Sequence, residues 1–347
     1  MNRPTLDQPP TFAVLLLHGL YAQADELKAI AAALHKRFGK VVLIIQPTCR
    51  VRFKSVIRPI AQQAADLLRH IALNLMHYNQ DLQSFPLIII GYSQGGVLAC
   101  TLGQSYKNQL NIVGIITLNA PLMGTPLLER SCSDVQAFIA HAKTGLQLID
   151  YPLFRMKWSM TLQAWMRLLT RPGWMPLHGL KDIFPNSPCI KEICSFLEVN
   201  REIPCLLIAT HQNDFSALFH IKTVGQHKKI EALNDAYALL ITGQKGGRHD
   251  TLIPLASQLA SEDCLNTLML TDIKNSSHDY APITWPHRPQ VKGRMYKGIL
   301  HASNLIAIDP NLFVDQCETV LYADLVLSDI IQFIEQSVQS AGASLLY

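Results

Sequence analysis

The sequence predicts an α/β protein built on a doubly wound, mostly parallel sheet, and three observations predict it. Short apolar runs rich in Ile, Leu and Val recur along the first third of the chain, as expected of strands buried on both faces. Segments with apolar residues at helical spacing separate them. Two glycine-bearing turns, His18-Gly19-Leu20 and Gly91-Tyr92-Ser93-Gln94-Gly95-Gly96, directly follow the first and third runs, where open parallel sheets bind their ligands.

Taken in order, the run at 12–17 is a central strand delivering the His18-Gly19-Leu20 loop. Residues 25–38 are a helix with Leu27, Ile30, Ala31 and Leu34 on one face, closed by Gly39. The next strand is 41–46. Residues 59–78 form an amphipathic helix whose stripe is Ile60, Ala64, Leu67, Leu68, Ile71 and Leu75. The elbow strand follows, then its helix, then a strand at 112–118. Successive strand-to-helix units wind right-handed, which fixes the doubly wound sheet. After Pro126 the alternation stops, and 127–200 reads as a bulky helical insertion carrying Trp158, Trp165 and Trp174. It either packs on the sheet or caps the serine with an apolar inner face and an outer face able to meet a membrane surface. The core is thus 1–126 with 201–347, and the cap is 127–200. Later strands are expected at 204–210 and 265–271, with a further one at 236–242 inside a polar interval without clean period. A closing helix covers 319–336.

Composition sets the class. The chain has 347 residues, 49% of them hydrophobic and 16% charged, with a net charge of +4. That suits a large core or a lipid-handling surface and resembles no nucleic-acid module. The one dense basic patch, Arg50, Arg52, Lys54 and Arg58, reads as a solvated loop or as a site for phosphate or anionic lipid. Eight cysteines without a Cys-x-x-Cys pair read as free thiols in a reducing compartment. No signal-peptide pattern or transmembrane run is found, so the expected location is cytoplasmic, with signal-independent secretion open. No histidine spacing suggests a metal site, and no cofactor is expected.

Gly91-x-Ser93-x-Gly95 has the spacing of a nucleophile elbow, where a serine sits on a strained strand-to-helix turn. Such a serine needs an imidazole to take its proton and a carboxylate to orient the imidazole. In the chain order Ser, acid, His, the acids are Asp250, in a glycine-rich turn, and Asp214, closing a strand. The bases are His301, between apolar and small residues, and His278, in a polar turn.

Together these segments resemble the lipase branch of the α/β hydrolases, in particular bacterial triacylglycerol lipases and GPI inositol-deacylase-like lipases. His18-Gly19-Leu20 is similar to their oxyanion loop, and Gly91-Tyr92-Ser93-Gln94-Gly95-Gly96 to their Gly-His-Ser-Gln-Gly-Gly elbow. The segments starting at Asn119, Asp182 and His249 resemble the family's following motifs, in the family's order. The resemblance implies an α/β-hydrolase fold with a helical cap, Ser93 as nucleophile, Asp250 as acid, His301 as base, and the Leu20 and Gln94 amides as oxyanion hole. Three departures stand out. Tyr92 replaces the elbow histidine, at a flanking position without a proton-transfer role. Thr251 follows the acid where the family has glycine, and the long gap to His301 keeps His278 as a substitute base. Ser303 stands where calcium-binding lipases carry an acid, so no calcium site is implied.

The sequence therefore implies a serine hydrolase of lipid-like carboxylic esters, with an apolar acyl ester as substrate and a transient membrane contact through the cap. Acyltransferase or thioesterase chemistry uses the same machinery. The contrasting class is a lipid-binding protein on a retired hydrolase scaffold.

Overall fold

The computed structural model describes residues 9–130, 133–134, 177–212, 214, 216, 224–261, 280–301 and 319–342. Within them, β1 (Phe12–Leu17), β2 (Val42–Ile45), β3 (Leu87–Tyr92), β4 (Ile112–Leu118), β5 (Cys205–His211), β6 (Tyr280–Thr284) and β7 (Val291–Lys297) form one seven-stranded sheet in the order β2-β1-β3-β4-β5-β7-β6. Neighbouring strands run parallel except the edge pair β6 and β7.

The two-residue side-chain period of the strands creates two cores. In β1, Ala13, Leu15 and Leu17 face one, with α2 (Phe53–Ile57), α3 (Ile60–His77) and α4 (Gln94–Tyr106). Phe12, Val14 and Leu16 face the other, with α1 (Lys28–Phe38) and the closing helix (Asp324–Ser340). Every residue of β1 and β3 is buried, which is why both read as unbroken apolar runs.

One later segment differs from expectation, and another was not anticipated. Residues 236–242 are not a strand but the end of a long helix, Val224–Thr242, whose buried Ile230, Leu233, Ala238 and Ile241 recur every three to five residues. The last parallel strand is β7, flanked by β6; the strand expected at 265–271 lies outside the described residues. Of the segment expected as a cap, 131–132 and 135–176 also lie outside them. Residues 177–200 put two helices, His178–Lys181 and Pro188–Val199, on the α3–α4 side of the sheet, burying Leu180, Ile193, Phe196 and Leu197 in the same core. Between the two helices, the Asp182 carboxylate accepts the Ile60 N–H at 2.6 Å and so caps α3, while Ser187 caps Pro188–Val199 by accepting Ile190 N–H at 3.2 Å.

Among the described residues, the cysteines (Cys49, Cys100, Cys189, Cys194, Cys205) are free. Also among them, no helix is long and apolar enough to cross a membrane, and no group of three metal-ligating side chains occurs.

Candidate active site

Ser93 joins β3 to α4 with φ 53° and ψ −125°, a conformation that non-glycine residues rarely adopt. Glycine makes the tight crossing possible. A Cβ on Gly91 would stand 2.2 Å from the Gly95 carbonyl oxygen, and one on Gly95 would stand 2.2 Å from that of Leu17. The strand end is pinned by Ser93 N–H donating to Leu118 O at 2.8 Å.

Asp250 and His301 meet Ser93 from two other loops. His301 Nδ1 lies 2.6 Å from Asp250 Oδ2, and His301 Nε2 lies 3.1 Å from Ser93 Oγ. The second oxygen, Asp250 Oδ1, accepts the N–H groups of Leu252 (3.0 Å) and Ile253 (2.7 Å). With Oδ1 so occupied and Asp250 fully buried, Oδ2 is the acceptor that fixes the proton on Nδ1 and leaves the Nε2 lone pair for the serine hydroxyl. Backbone reinforces side chain, since His301 N–H donates to Asp250 O at 2.9 Å.

Asp214 is engaged locally, with Oδ1 accepting Ser216 N–H at 2.9 Å and Asn234 Nδ2 at 3.1 Å. Partial burial pushes its carboxyl up, but these hydrogen bonds and Lys297 outweigh that and hold it below the ordinary range. His278 lies outside the described residues.

Leu20 lies on the loop after β1, and Gln94 is the first residue of α4, whose amide has no acceptor within its helix. The two segments touch: a Cβ on Gly19 would be 3.3 Å from Ser93 Cβ.

What holds this loop was not read from the sequence. Arg50 is no part of a surface patch, because it is 1% exposed and lies beneath the site. It donates to the His18 carbonyl, to Gln94 Oε1 (2.9 Å) and to Gln63 Oε1 (3.1 Å). Gln94 Nε2 in turn donates to Ser55 O (3.0 Å) and Gly179 O (2.8 Å). Arg58 is likewise engaged, paired with Asp66. Burial lowers Arg50 to about 10 and, with the nearby Arg50 charge, lowers His18 to about 3, so His18 is neutral and its Nδ1–H donates to Gly19 O at 2.8 Å. On the other side, Glu26 Oε2 accepts Gly19 N–H at 2.7 Å, and burial raises its carboxyl. The available signal for Glu26 was an acid in the first turn after a glycine loop. For Arg50 there was none, since its partners come from distant segments.

A serine elbow at the C-terminal end of a central parallel strand, with an acid and a histidine arriving after later strands, is the arrangement of one superfamily. Residues 13–165, a little under half of the chain, match the family model described as palmitoyl protein thioesterase. This chain has the α/β-hydrolase fold.

No curated protein sequence matches this chain. Its fold is similar to solved structures at low identity. MenH from S. aureus shares 13% identity over 97% of this chain and 96% of that one, with a TM-score of 0.41. A thermostable carboxyl esterase from Bacillus coagulans shares 14% over 95% and 91%, with a TM-score of 0.42. Phospholipase PlaB from Legionella pneumophila shares 10% over 95% of this chain and 65% of that one, with a TM-score of 0.44. Likeness at this level bears on neither substrate nor mechanism.

Proposed function

We propose that the protein is a serine hydrolase that cleaves carboxylic acyl esters or thioesters with an apolar acyl chain, through a Ser93–His301–Asp250 triad. The observation that carries this reading is the relay geometry: Nε2 to Oγ at 3.1 Å and Nδ1 to Oδ2 at 2.6 Å on one imidazole. His301 Nε2 takes the Ser93 proton as Oγ attacks the acyl carbon. The oxyanion turns toward the Leu20 and Gln94 amides, where each donor contributes about two to three orders of magnitude in rate. His301 then returns the proton to the departing alcohol or thiol. A water molecule, deprotonated by the same nitrogen, attacks the acyl-enzyme and restores Ser93.

A thioester leaving group is a second reading, favoured by the family match over residues 13–165. A lipid-like acyl chain is supported by the apolar composition of the chain and by the Trp-bearing segment 127–200.

Hydrolysis of p-nitrophenyl butyrate and of a palmitoyl thioester by wild type and Ser93→Ala tests both readings. Turnover that disappears in Ser93→Ala is expected, and the ratio of the two substrates ranks ester against thioester. Wild-type protein that hydrolyses neither, and takes no fluorophosphonate label, would leave the lipid-binding scaffold as the answer.

A further inference from the structure

Tyr92 stands immediately before the nucleophile, yet its side chain reaches the histidine. The residue is 2% exposed, and its phenol O–H donates to the His301 carbonyl at 2.7 Å. The phenol ring also lies against the imidazole, with centroids 5.1 Å apart and planes inclined by 34°. The His301 N–H is already taken by Asp250 O at 2.9 Å. Both backbone polar groups of the histidine are therefore bound, one by the acid's peptide and one by the nucleophile's neighbour.

His301 needs such anchoring because no regular element carries it. β7 ends at Lys297, and the chain leaves it through Gly298 at φ +82°, whose N–H donates to His211 O at 2.9 Å. One residue before the histidine, Leu300 O accepts Val320 N–H at 3.3 Å. Just beyond these points the His301 carbonyl is held by the phenol.

We propose that Tyr92 is a positioning residue: its hydroxyl fixes the peptide of His301, and its ring the face of the imidazole, so that Nε2 stays within reach of Ser93 Oγ. The proposal rests on the triad reading. It gives the residue before the serine a task that its flanking place in the motif does not suggest. In Tyr92→Phe the ring and its packing survive, the His301 carbonyl loses its donor, and the imidazole is free to swing off the serine. A misplacement of about 1 Å at a reacting group costs on the order of 100-fold in rate.

The test is the second-order rate of fluorophosphonate labelling, which reads activation of Ser93 without needing a substrate, together with kcat and KM on a soluble ester. For Tyr92→Phe, labelling and kcat are expected to fall together by about 10- to 100-fold while KM holds. Tyr92→His, which keeps a polar ring too short to reach the carbonyl, should follow Phe. Ile90→Val, which trims the same core away from His301, should leave the labelling rate unchanged and controls for loosened packing. If either folded Tyr92 variant labels at the wild-type rate, or if Ile90→Val slows labelling as much, the positioning role is wrong and the triad reading survives. Wild-type protein that takes no label overturns both.

Discussion

Arg50 and Gln94 are joined beneath the His18–Leu20 loop, Nη2 donating to Oε1 at 2.9 Å, while the same guanidinium holds the His18 carbonyl. One buried cation thus ties the loop after β1 to the first residue of the helix that follows Ser93. Arg50→Met removes the donors and leaves three buried acceptors unpaired, the His18 carbonyl, Gln94 Oε1 and Gln63 Oε1, at about 1–3 kcal/mol each. We expect a lower unfolding midpoint and a kcat reduced by at least about 10-fold, as the Leu20 and Gln94 amides lose their mutual register. Arg50→Lys should recover little of either, because an ammonium lacks the planar fork. Full recovery by lysine would mean that charge alone matters here.

Replacing the acid separates the two candidates. Asp250→Asn should reduce kcat by about three to four orders of magnitude, since the amide favours the wrong imidazole tautomer. Asp214→Asn should leave kcat within about 2-fold, its carboxylate being engaged with Ser216 and Asn234. Steady-state kinetics on a soluble ester checks both, and the reverse ranking would displace Asp250 from the site.

Much of this arrangement was legible in the sequence, and the boundary has a physical cause. Strands β1, β3, β4 and β5 are sandwiched by helices, so their buried runs announce themselves. By contrast, β7 reads Val-Lys-Gly-Arg-Met-Tyr-Lys, with exposed Lys292 after buried Val291 and exposed Lys297 after buried Met295 and Tyr296, and β6 carries Pro282, which an edge strand tolerates. The run Ala236-Tyr-Ala-Leu-Leu-Ile-Thr is locally as strand-like as any, and only its continuation back to Val224 reveals a helix. Ser93 sits in a local pattern that points to a nucleophile, whereas the local patterns around Asp250 and His301 left Asp214 and His278 as alternatives. Arg50, Glu26 and Tyr92 act through contacts with residues far along the chain or around a turn, which no local window contains.

Glycine at 91 is compulsory. Gly91→Ala drives a methyl to 2.2 Å from the Gly95 carbonyl oxygen, backbone that cannot rotate away. A loss of at least about 3 kcal/mol is expected, read as insoluble or strongly destabilised protein in thermal unfolding.

Two buried histidines should make the protein acid-labile. Burial lowers His18 from 6.5 to about 3 and His249 from 6.5 to about 4. The folded state then binds fewer protons than the unfolded chain between these values and 6.5. Their contribution is complete above pH 6.5 and is lost as the pH falls through that window. At about 1.4 kcal/mol per pKa unit, several kcal/mol is the ceiling. Asparagine at both positions keeps a donor toward Gly19 O at 18 and an acceptor for Thr251 N–H at 249. Denaturant midpoints between pH 7 and 4.5 should be flatter for the double variant than for wild type.

Asp182→Ala should cost about 1 kcal/mol through loss of the α3 cap, whereas Asp182→Asn should be near neutral. Asparagine keeps an acceptor for Ile60 N–H and removes a carboxyl whose ionisation burial already opposes. Equilibrium unfolding of the two variants at pH 7 decides between hydrogen bond and charge.

The sheet order has a consequence for how the protein comes into being. Ser93 and His301 are 208 positions apart, and the strand that delivers the histidine must find β5, whose own pairing with β4 is already possible without it. During synthesis the elbow, its glycines and the Arg50 network can assemble while the base is still unmade. Long-range parallel pairing is the slow kind of contact to close. With His301 as the proposed base, the growing chain is silent toward esters until this ladder zips, and recovery of ester cleavage after dilution from denaturant should lag recovery of helical signal.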